Sequence, residues 1–245
     1  MKDKYKPPRR LLHTSDLHLQ SFNDGACRDF EAFLVAAGQT KPDLIVIAGD
    51  LFDHHRIGND LIAYVAESLK RLVVPAIILP GNHDCLEPTS PYRQSRFWDN
   101  CSNIHIFREP DGEIIRLDDL AITLWGKPIT SYSEDIAPLG GIPHRKGNGD
   151  WHIAVAHGLY AGDEGNVSRS YLITREDIMC SGWDYVALGH MNLFKCICSA
   201  PVKAYYSGSP AISGGVAIVD LIDDTKIDVR QYVFDVNSRI AAETT

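Results

Sequence analysis

Five short motifs carry residues of the kind that bind metal ions: Ser15-Asp16-Leu17-His18, Gly49-Asp50, Gly81-Asn82-His83-Asp84, Ala156-His157-Gly158 and Gly189-His190. Carboxylate, imidazole and amide oxygen without thiolate is a donor set suited to borderline and hard divalent ions such as manganese, iron or zinc. A carboxylate placed between two such ions can bridge them, and Asp50 is the natural candidate. Two ions about 3.5–4 Å apart can bind a phosphate, activate a water and stabilise a leaving oxygen. Each motif alone is weak, because a single His at a strand end is usually structural and a lone Gly-Asp is usually a turn. Gly81-Asn82-His83-Asp84 is stronger: a run of polar and turn-forming residues directly after an apolar segment has little structural purpose. The joint occurrence of the five is what points to chemistry.

Every motif closes an apolar run of strand character. Leu11-Leu12-His13 precedes the first, Leu44–Ala48 the second and Pro75–Leu79 the third; Ile153–Ala156 and Tyr185–Leu188 precede the last two. Apolar positions at helical spacing predict helices over Phe30–Ala37 and Asn59–Leu72, and Thr174 with Asp177 predicts a capped helix from Thr174 to Cys180. Strand and helix in alternation imply an α/β fold. Its functional crevice lies beyond the carboxyl ends of the strands, where the motifs fall. Glu113–Arg116 and Ala121–Trp125 flank a turn at Asp118-Asp119. Tyr205-Tyr206, Val216–Leu221 and Lys226–Phe234 read as an antiparallel finish, and Ser131–Asp150, rich in Gly and Pro, reads as a loop over one face.

The chain has 245 residues with a formal net charge of −8, 44% apolar and 23% charged residues. An acidic balance argues against broad electrostatic binding of a phosphate backbone, although metal ions would reverse the local sign at a carboxylate-rich site. No apolar run approaches the roughly 18 residues of a membrane span, and the basic segment Met1–Arg10 lacks the apolar core of a signal peptide. A cytoplasmic protein that does not engage a membrane is therefore expected, with its six scattered cysteines as reduced thiols. Cys196-x-Cys198 could contribute to a metal site, but no second pair lies at a matching distance.

The ordered set Asp-x-His, Gly-Asp, Gly-Asn-His-Asp, His and Gly-His resembles the calcineurin-like metallophosphoesterase superfamily. Around Ala48–Asp53, Pro80–Asp84, Ala187–His190 and Tyr206–Pro210 it is most similar to SbcD-type DNA repair exonuclease subunits. The resemblance implies a four-layer α/β/β/α sandwich with two mixed sheets, and a single domain over residues 1–245 with its core at about 10–235. It also implies two divalent ions, manganese foremost and iron or zinc as alternatives. Asp16 and His18 would hold the first ion and Asn82, His157 and His190 the second, with Asp50 bridging. His83 would be the catalytic group at the leaving oxygen, oriented by Asp84, and a hydroxide shared by both metals would attack the phosphorus.

Two departures from the family pattern bear on function. Where relatives read Gly-His-x-His, this chain reads Gly189-His190-Met191-Asn192, so Asn192 would complete the first site with an amide oxygen, a weaker ligand than imidazole. Several nuclease relatives carry a His where Asp53 stands; here His54, His55 and Arg56 follow, either within reach of a substrate phosphate or as exposed loop residues. The nuclease relatives also have a capping domain and arms for an ATPase partner, and the expectation is the catalytic half alone. Three functions follow in order: a nuclease-like phosphodiesterase on DNA ends, working with an ATPase partner or as a homodimer; a small-molecule or nucleotide phosphodiesterase or phosphatase; and a scaffold that has lost activity, for which only Asn192 speaks.

Overall fold

Strands that are apolar on both faces must be covered on both faces, and the computed structural model shows how. It describes residues 6–22, 24–132, 136–145, 149–162 and 171–235. One six-stranded sheet has the order β14-β13-β1-β2-β3-β4, with β1 at Arg9–Thr14, β2 at Leu44–Ala48, β3 at Ala76–Leu79, β4 at Ile104–Ile106, β13 at Gly215–Asp223 and β14 at Lys226–Val233. A second has the order β11-β12-β10-β7-β6-β5, with β5 at Glu113–Leu117, β6 at Ile122–Gly126, β7 at Trp151–His157, β10 at Tyr185–Gly189, β11 at Lys195–Cys198 and β12 at Lys203–Tyr206. The two-residue strands β8 (Leu159–Tyr160) and β9 (Leu172–Ile173) pair beside the second sheet. Both large sheets are mixed. In each, four neighbouring strands run parallel, β1 to β4 at one side of the first sheet and β12, β10, β7 and β6 at the centre of the second, and the remaining pairings are antiparallel.

Three apolar layers bind the sheets together. Alternate residues of one strand point to opposite faces, so Leu12, Ile45, Ile47 and Ile78 meet helices α1 (Gly25–Thr40) and α2 (Asn59–Arg71) through Phe30, Phe33, Ile62 and Val65. Their neighbours Leu11, Leu44, Val46 and Ile77 face Ile153, Val155 and Tyr185 between the sheets. Ala154, Ala156, Val186 and Leu188 turn outward to Ile178 of helix α4 (Arg175–Ser181) and to Trp183. The remaining helices, α3 (Ser95–Trp98) and α5 (Pro210–Ser213), are single turns.

Most expected elements form, with shifted ends. Thr174 caps α4 as the sequence predicts, in a reciprocal capping box with Asp177. One expectation is corrected. Tyr205-Tyr206 does not join the antiparallel finish; it lies in β12, parallel to β10 in the second sheet, while β13 and β14 alone close the first. Among its described residues, Ser131–Asp150 carries no helix or strand; residues 133–135 and 146–148 lie outside the described set.

Candidate metal centre

The five motifs meet in one crevice, but from two sheets rather than one. Asp16 and His18 follow β1, Asp50 follows β2 and Asn82 follows β3 in the first sheet, whereas His157 ends β7 and His190 follows β10 in the second. Backbone pairing of β1 with β2 continues past the strand ends: the amide of Asp16 donates to the Gly49 carbonyl at 3.0 Å, that of His18 to Asp50 at 3.0 Å and that of Asp53 to Leu19 at 3.1 Å. Asp16, His18, Asp50 and His190 all have positive φ, between 52° and 98°. Such conformations are costly for residues other than glycine and concentrate at functional sites. Gly49, with φ of 95°, has no such cost, and a Cβ there would enter the His157 ring.

Asp50, Asn82, His157 and His190 form the tighter set. His157 Nε2 lies 2.9 Å from Asn82 Oδ1 and 3.2 Å from Asp50 Oδ2. His190 Nδ1 lies 3.0 Å from the same Asn82 oxygen and 3.3 Å from His157 Nε2. These contacts test whether the set fits a cation. His157 Nδ1 faces the Ala48 carbonyl at 2.9 Å, so it carries the hydrogen and a neutral ring would turn the Nε2 lone pair onto two oxygens. Burial alone would lower the His157 imidazole, yet the carboxylates of Asp50 and Asp16 outweigh it and raise it to about 9. The pocket therefore calls for a positive charge at Nε2. A divalent ion supplies that charge with a donor set suited to manganese, iron or zinc, so the residues fit the metal.

The other set is looser. Asp16, His18 and Asp50 each offer a ligand atom, all within 4.8 Å of one another. His18 Nε2 is 3.9 Å from Asp50 Oδ2, the oxygen that also faces His157, so Asp50 stands between the two sets. Asp16 accepts from Ser15 Oγ at 2.5 Å and from the His190 amide at 3.0 Å; burial raises its carboxyl, with the Asp50 charge adding to the effect. Ser207 Oγ lies 2.9 Å from Ser15 Oγ, and Ser209 Oγ donates to the Asp16 carbonyl at 2.9 Å. These serines brace Asp16 from behind, a role carried in the sequence only by the Tyr206–Pro210 likeness. Asn192 is exposed and lines the same groove as Asp16 and His18.

His83 stands at the rim, 43% exposed, with its ring edge-on to His18 at 4.6 Å between centroids. The expectation that Asp84 orients it is corrected. Asp84 is fully buried and accepts from the amides of Gly81 (2.7 Å) and Phe52 (3.0 Å) and from the Tyr92 hydroxyl (2.5 Å). Its carboxylate is turned into the protein to hold the loop, and burial, with the nearby charge of Asp50, raises it to about 6. The group beside His83 is Asp53. Its carbonyl lies 3.0 Å and its carboxylate 3.5 Å from His83 Nδ1, and the same carboxylate oxygen is 2.9 Å from His18 Nδ1. Sequence reading passed over this role, although Asp53 lies three residues beyond Asp50 on the segment that pairs with His18. Tyr132 adds a hydroxyl donated to the His83 carbonyl at 2.6 Å.

The three residues expected at the substrate differ in what they offer. His55 is engaged by the protein at both ring nitrogens, Nε2 at 3.4 Å from Cys85 Sγ and Nδ1 at 3.5 Å from Glu87, so its phosphate-binding role is corrected to packing behind the Gly81–Asp84 loop. His54 Nδ1 accepts from the Arg56 amide at 3.1 Å. Arg56 is exposed. All six cysteines are free thiols.

A family model for calcineurin-like phosphoesterases matches residues 9–192, from β1 through Asn192. The chain belongs to that family. Its members are metallophosphoesterases, hydrolases that use divalent metal ions. The chain is 25% identical over 225 residues to YhaO, an uncharacterised metallophosphoesterase of Bacillus subtilis, covering 81% of this chain and 52% of that protein. It is 31% identical over 88 residues to the SbcD component of nuclease SbcCD from Staphylococcus saprophyticus, covering 32% of this chain and 23% of that protein. The chain thus spans about half or less of the length of these relatives. Among solved structures, TT1561 of Thermus thermophilus aligns with a TM-score of 0.60 at 14% identity, covering 92% of this chain and 99% of that one. A candidate 5′-nucleotidase from Staphylococcus aureus aligns with a TM-score of 0.59 at 13% identity, covering 97% and 58%. These likenesses show a shared fold of two mixed sheets with flanking helices. Among the described residues, no helix is long and apolar enough to cross a membrane.

Proposed function

We propose that this phosphoesterase is a dinuclear phosphodiesterase, and the observation that carries the reading is the placement of Asp50. One carboxylate oxygen faces His157 of the tight set and His18 of the loose set, with Asn82 and His190 completing the first and Asp16 the second. Two divalent ions held there would bind the phosphoryl oxygens and activate a water for in-line attack.

The chain's own residues do the rest. Burial of Asp16, Asp50 and His157 keeps competing water from the ligands, which strengthens each electrostatic contact. His83, partly exposed and held by Asp53 and Tyr132, delivers a proton from Nε2 to the departing oxygen as general acid. Asp53 meets both rings, His18 through its carboxylate and His83 through its backbone carbonyl, so the metal ligand and the acid are set by one residue. Manganese is the favoured metal, with iron and zinc as alternatives, and Asn192 would complete the looser site of Asp16 and His18 with an amide oxygen. The segment shared with the SbcD component of nuclease SbcCD supports a second reading, a DNA-end nuclease working with an ATPase partner or as a homodimer; the net charge of −8 favours smaller substrates.

The test is hydrolysis of bis-p-nitrophenyl phosphate, p-nitrophenyl phosphate and end-labelled single- and double-stranded DNA in manganese. Diester cleavage is expected. On thymidylyl-(3′→5′)-thymidine, whose alkoxide leaving group needs a proton, His83→Ala should lose about 10²–10⁴-fold in rate, with a smaller loss on the p-nitrophenyl ester, while retaining its metal by elemental analysis. A His83→Ala enzyme with unchanged turnover would overturn the assignment of the acid.

A further inference from the structure

A phosphodiester has two ester substituents, and the crevice has a place for each. The leaving group departs beside His83. Beside Asp16 and His18 lies a groove of about 380 Å³, which His18 lines and His83 does not. Its volume is within the ~300–1,000 Å³ of small-molecule sites. Asn192 and Gln20 bring amide groups to it, and Ala26, Ala211 and Ile212 bring apolar surface.

The walls are fixed. Ser209 precedes α5 and ties it to the centre twice, through its hydroxyl to the Asp16 carbonyl at 2.9 Å and through its amide to the Asn192 carbonyl at 3.1 Å. Opposite stands the start of α1, where an anion could have been received by free amides. That end is already closed by the chain's own carboxylate: Asp24 accepts from the amides of Cys27 at 2.8 Å and Ser21 at 2.9 Å. Among the described residues no Lys or Arg lines the groove, and its carboxylates are Asp16 and Asp24. With Asp16 offset by its ion in the phosphodiesterase reading, a second phosphate reaching the α1 end would still meet the Asp24 carboxylate. A neutral group with hydrogen-bonding edges would meet the amides and the Ile212 side chain, which is 61% exposed and open to contact.

Resting on the phosphodiesterase reading, we propose that the groove between Asn192, Gln20 and α5 binds the second ester substituent of the substrate, a neutral group of nucleoside size bearing no further phosphate. A monoester leaves this groove empty, and a polynucleotide would carry a phosphate toward Asp24. Asn192 lines the groove, where its amide can meet a sugar hydroxyl or the carbonyl and N–H edge of a base.

The experiment compares three diesters with one leaving group, p-nitrophenolate, in manganese: methyl p-nitrophenyl phosphate, thymidine 5′-(p-nitrophenyl phosphate), and the latter with an added 3′-phosphate. Thymidine should exceed methyl at least tenfold in kcat/KM, through KM, and the added phosphate should cost at least tenfold. Ala211→Trp, at an exposed position, should bring the thymidine-to-methyl ratio close to one; Ile212→Trp serves if the first variant folds poorly. Gln20→Lys should recover part of the loss caused by the added phosphate. Equal use of thymidine and methyl diesters, a ratio unmoved by both tryptophans, or preference for the doubly phosphorylated compound overturns the groove assignment while the diesterase reading stands. Failure to cleave any of the three refutes the diesterase reading, and the groove assignment with it.

Discussion

Two aspartates near His83 have opposite functions in this structure, and a pair of substitutions separates them. Asp84 accepts from Gly81, Phe52 and Tyr92 inside the protein. Truncation to alanine strands three buried donors at about 1–3 kcal/mol each, or about 3–9 kcal/mol. Part of this is returned, because holding the carboxylate ionised at pH 7 is itself unfavourable. Raised to about 6 from an ordinary 3.8, it costs on the order of 3 kcal/mol at about 1.4 kcal/mol per unit. The net expectation for Asp84→Ala is a loss of about 3 kcal/mol. At roughly 2–4 °C per kcal/mol for a chain of this size, the melting temperature should fall by about 6–12 °C. Turnover of the folded protein at low temperature should stay within about tenfold of the parent. Asp53→Asn should do the reverse. Its carboxylate is partly exposed, bonds His18 at 2.9 Å and puts its charge 3.5 Å from His83, so stability should change by less than about 1 kcal/mol while kcat falls about 10–100-fold, the usual loss when the group behind a metal ligand is removed. Calorimetry and steady-state rates on both variants suffice. An Asp84→Ala protein with an unchanged melting temperature and no turnover would return Asp84 to the role of orienting His83 and refute this division of labour.

Other outcomes follow from the same contacts. Gly49→Ala forces a side chain into a left-handed backbone and against the His157 ring; it should destabilise by about 2–4 kcal/mol, measured by urea unfolding, and weaken the tighter metal site in titrations. In metal-free protein, His157 is raised to about 9 against 6.5 when unfolded. A raised imidazole contributes stability that is fully present below 6.5 and lost as pH rises through 9, so chelated protein should lose on the order of 3 kcal/mol across that window, and metal binding should release a proton. His13, fully buried against the Tyr185 hydroxyl at 3.0 Å, is lowered by burial to about 3. A lowered imidazole has the opposite sign: stability is present above 6.5 and lost as pH falls toward 3, about 2 kcal/mol between pH 7 and 5, and His13→Leu should flatten that limb.

How much of this was legible in the sequence depends on how local each signal is. The apolar runs that close on Asp16, Asp50, Asn82, His157 and His190 are contiguous, so the strands and the ligand set could be read directly. Sheet membership could not, because Tyr205 and Tyr206 have the same alternation whether they pair with β13 or with β10. Strand β4 at Ile104–Ile106 is only three residues long, too short for an alternation to mark it even between the turn-forming Ser102-Asn103 and Pro110-Asp111-Gly112. Asp84 and Asp53 show the limit at the site itself. Adjacency to His83 favoured Asp84, yet successive residues after a strand point in different directions, and the residue that reaches the imidazole comes from the neighbouring segment. The inward turn of His55 was hidden for the same reason, since Cys85 and Glu87 lie on the following loop.

The division of the crevice between two sheets has a consequence for the order in which the protein is made. Asp16, His18, Asp50, Asn82 and His83 leave the ribosome first, on strands whose inner face still lacks its cover of Ile153, Val155 and Tyr185. Two of the three candidate imidazole ligands, His157 and His190, come from the later sheet. At roughly 5–20 residues per second, on the order of ten seconds separates Asn82 from His190. During that interval the nascent chain has its acid and its carboxylates but cannot assemble the tight set. On the dinuclear reading, hydrolytic competence begins only when the second sheet docks, and an amino-terminal fragment is expected to be inert toward phosphate esters.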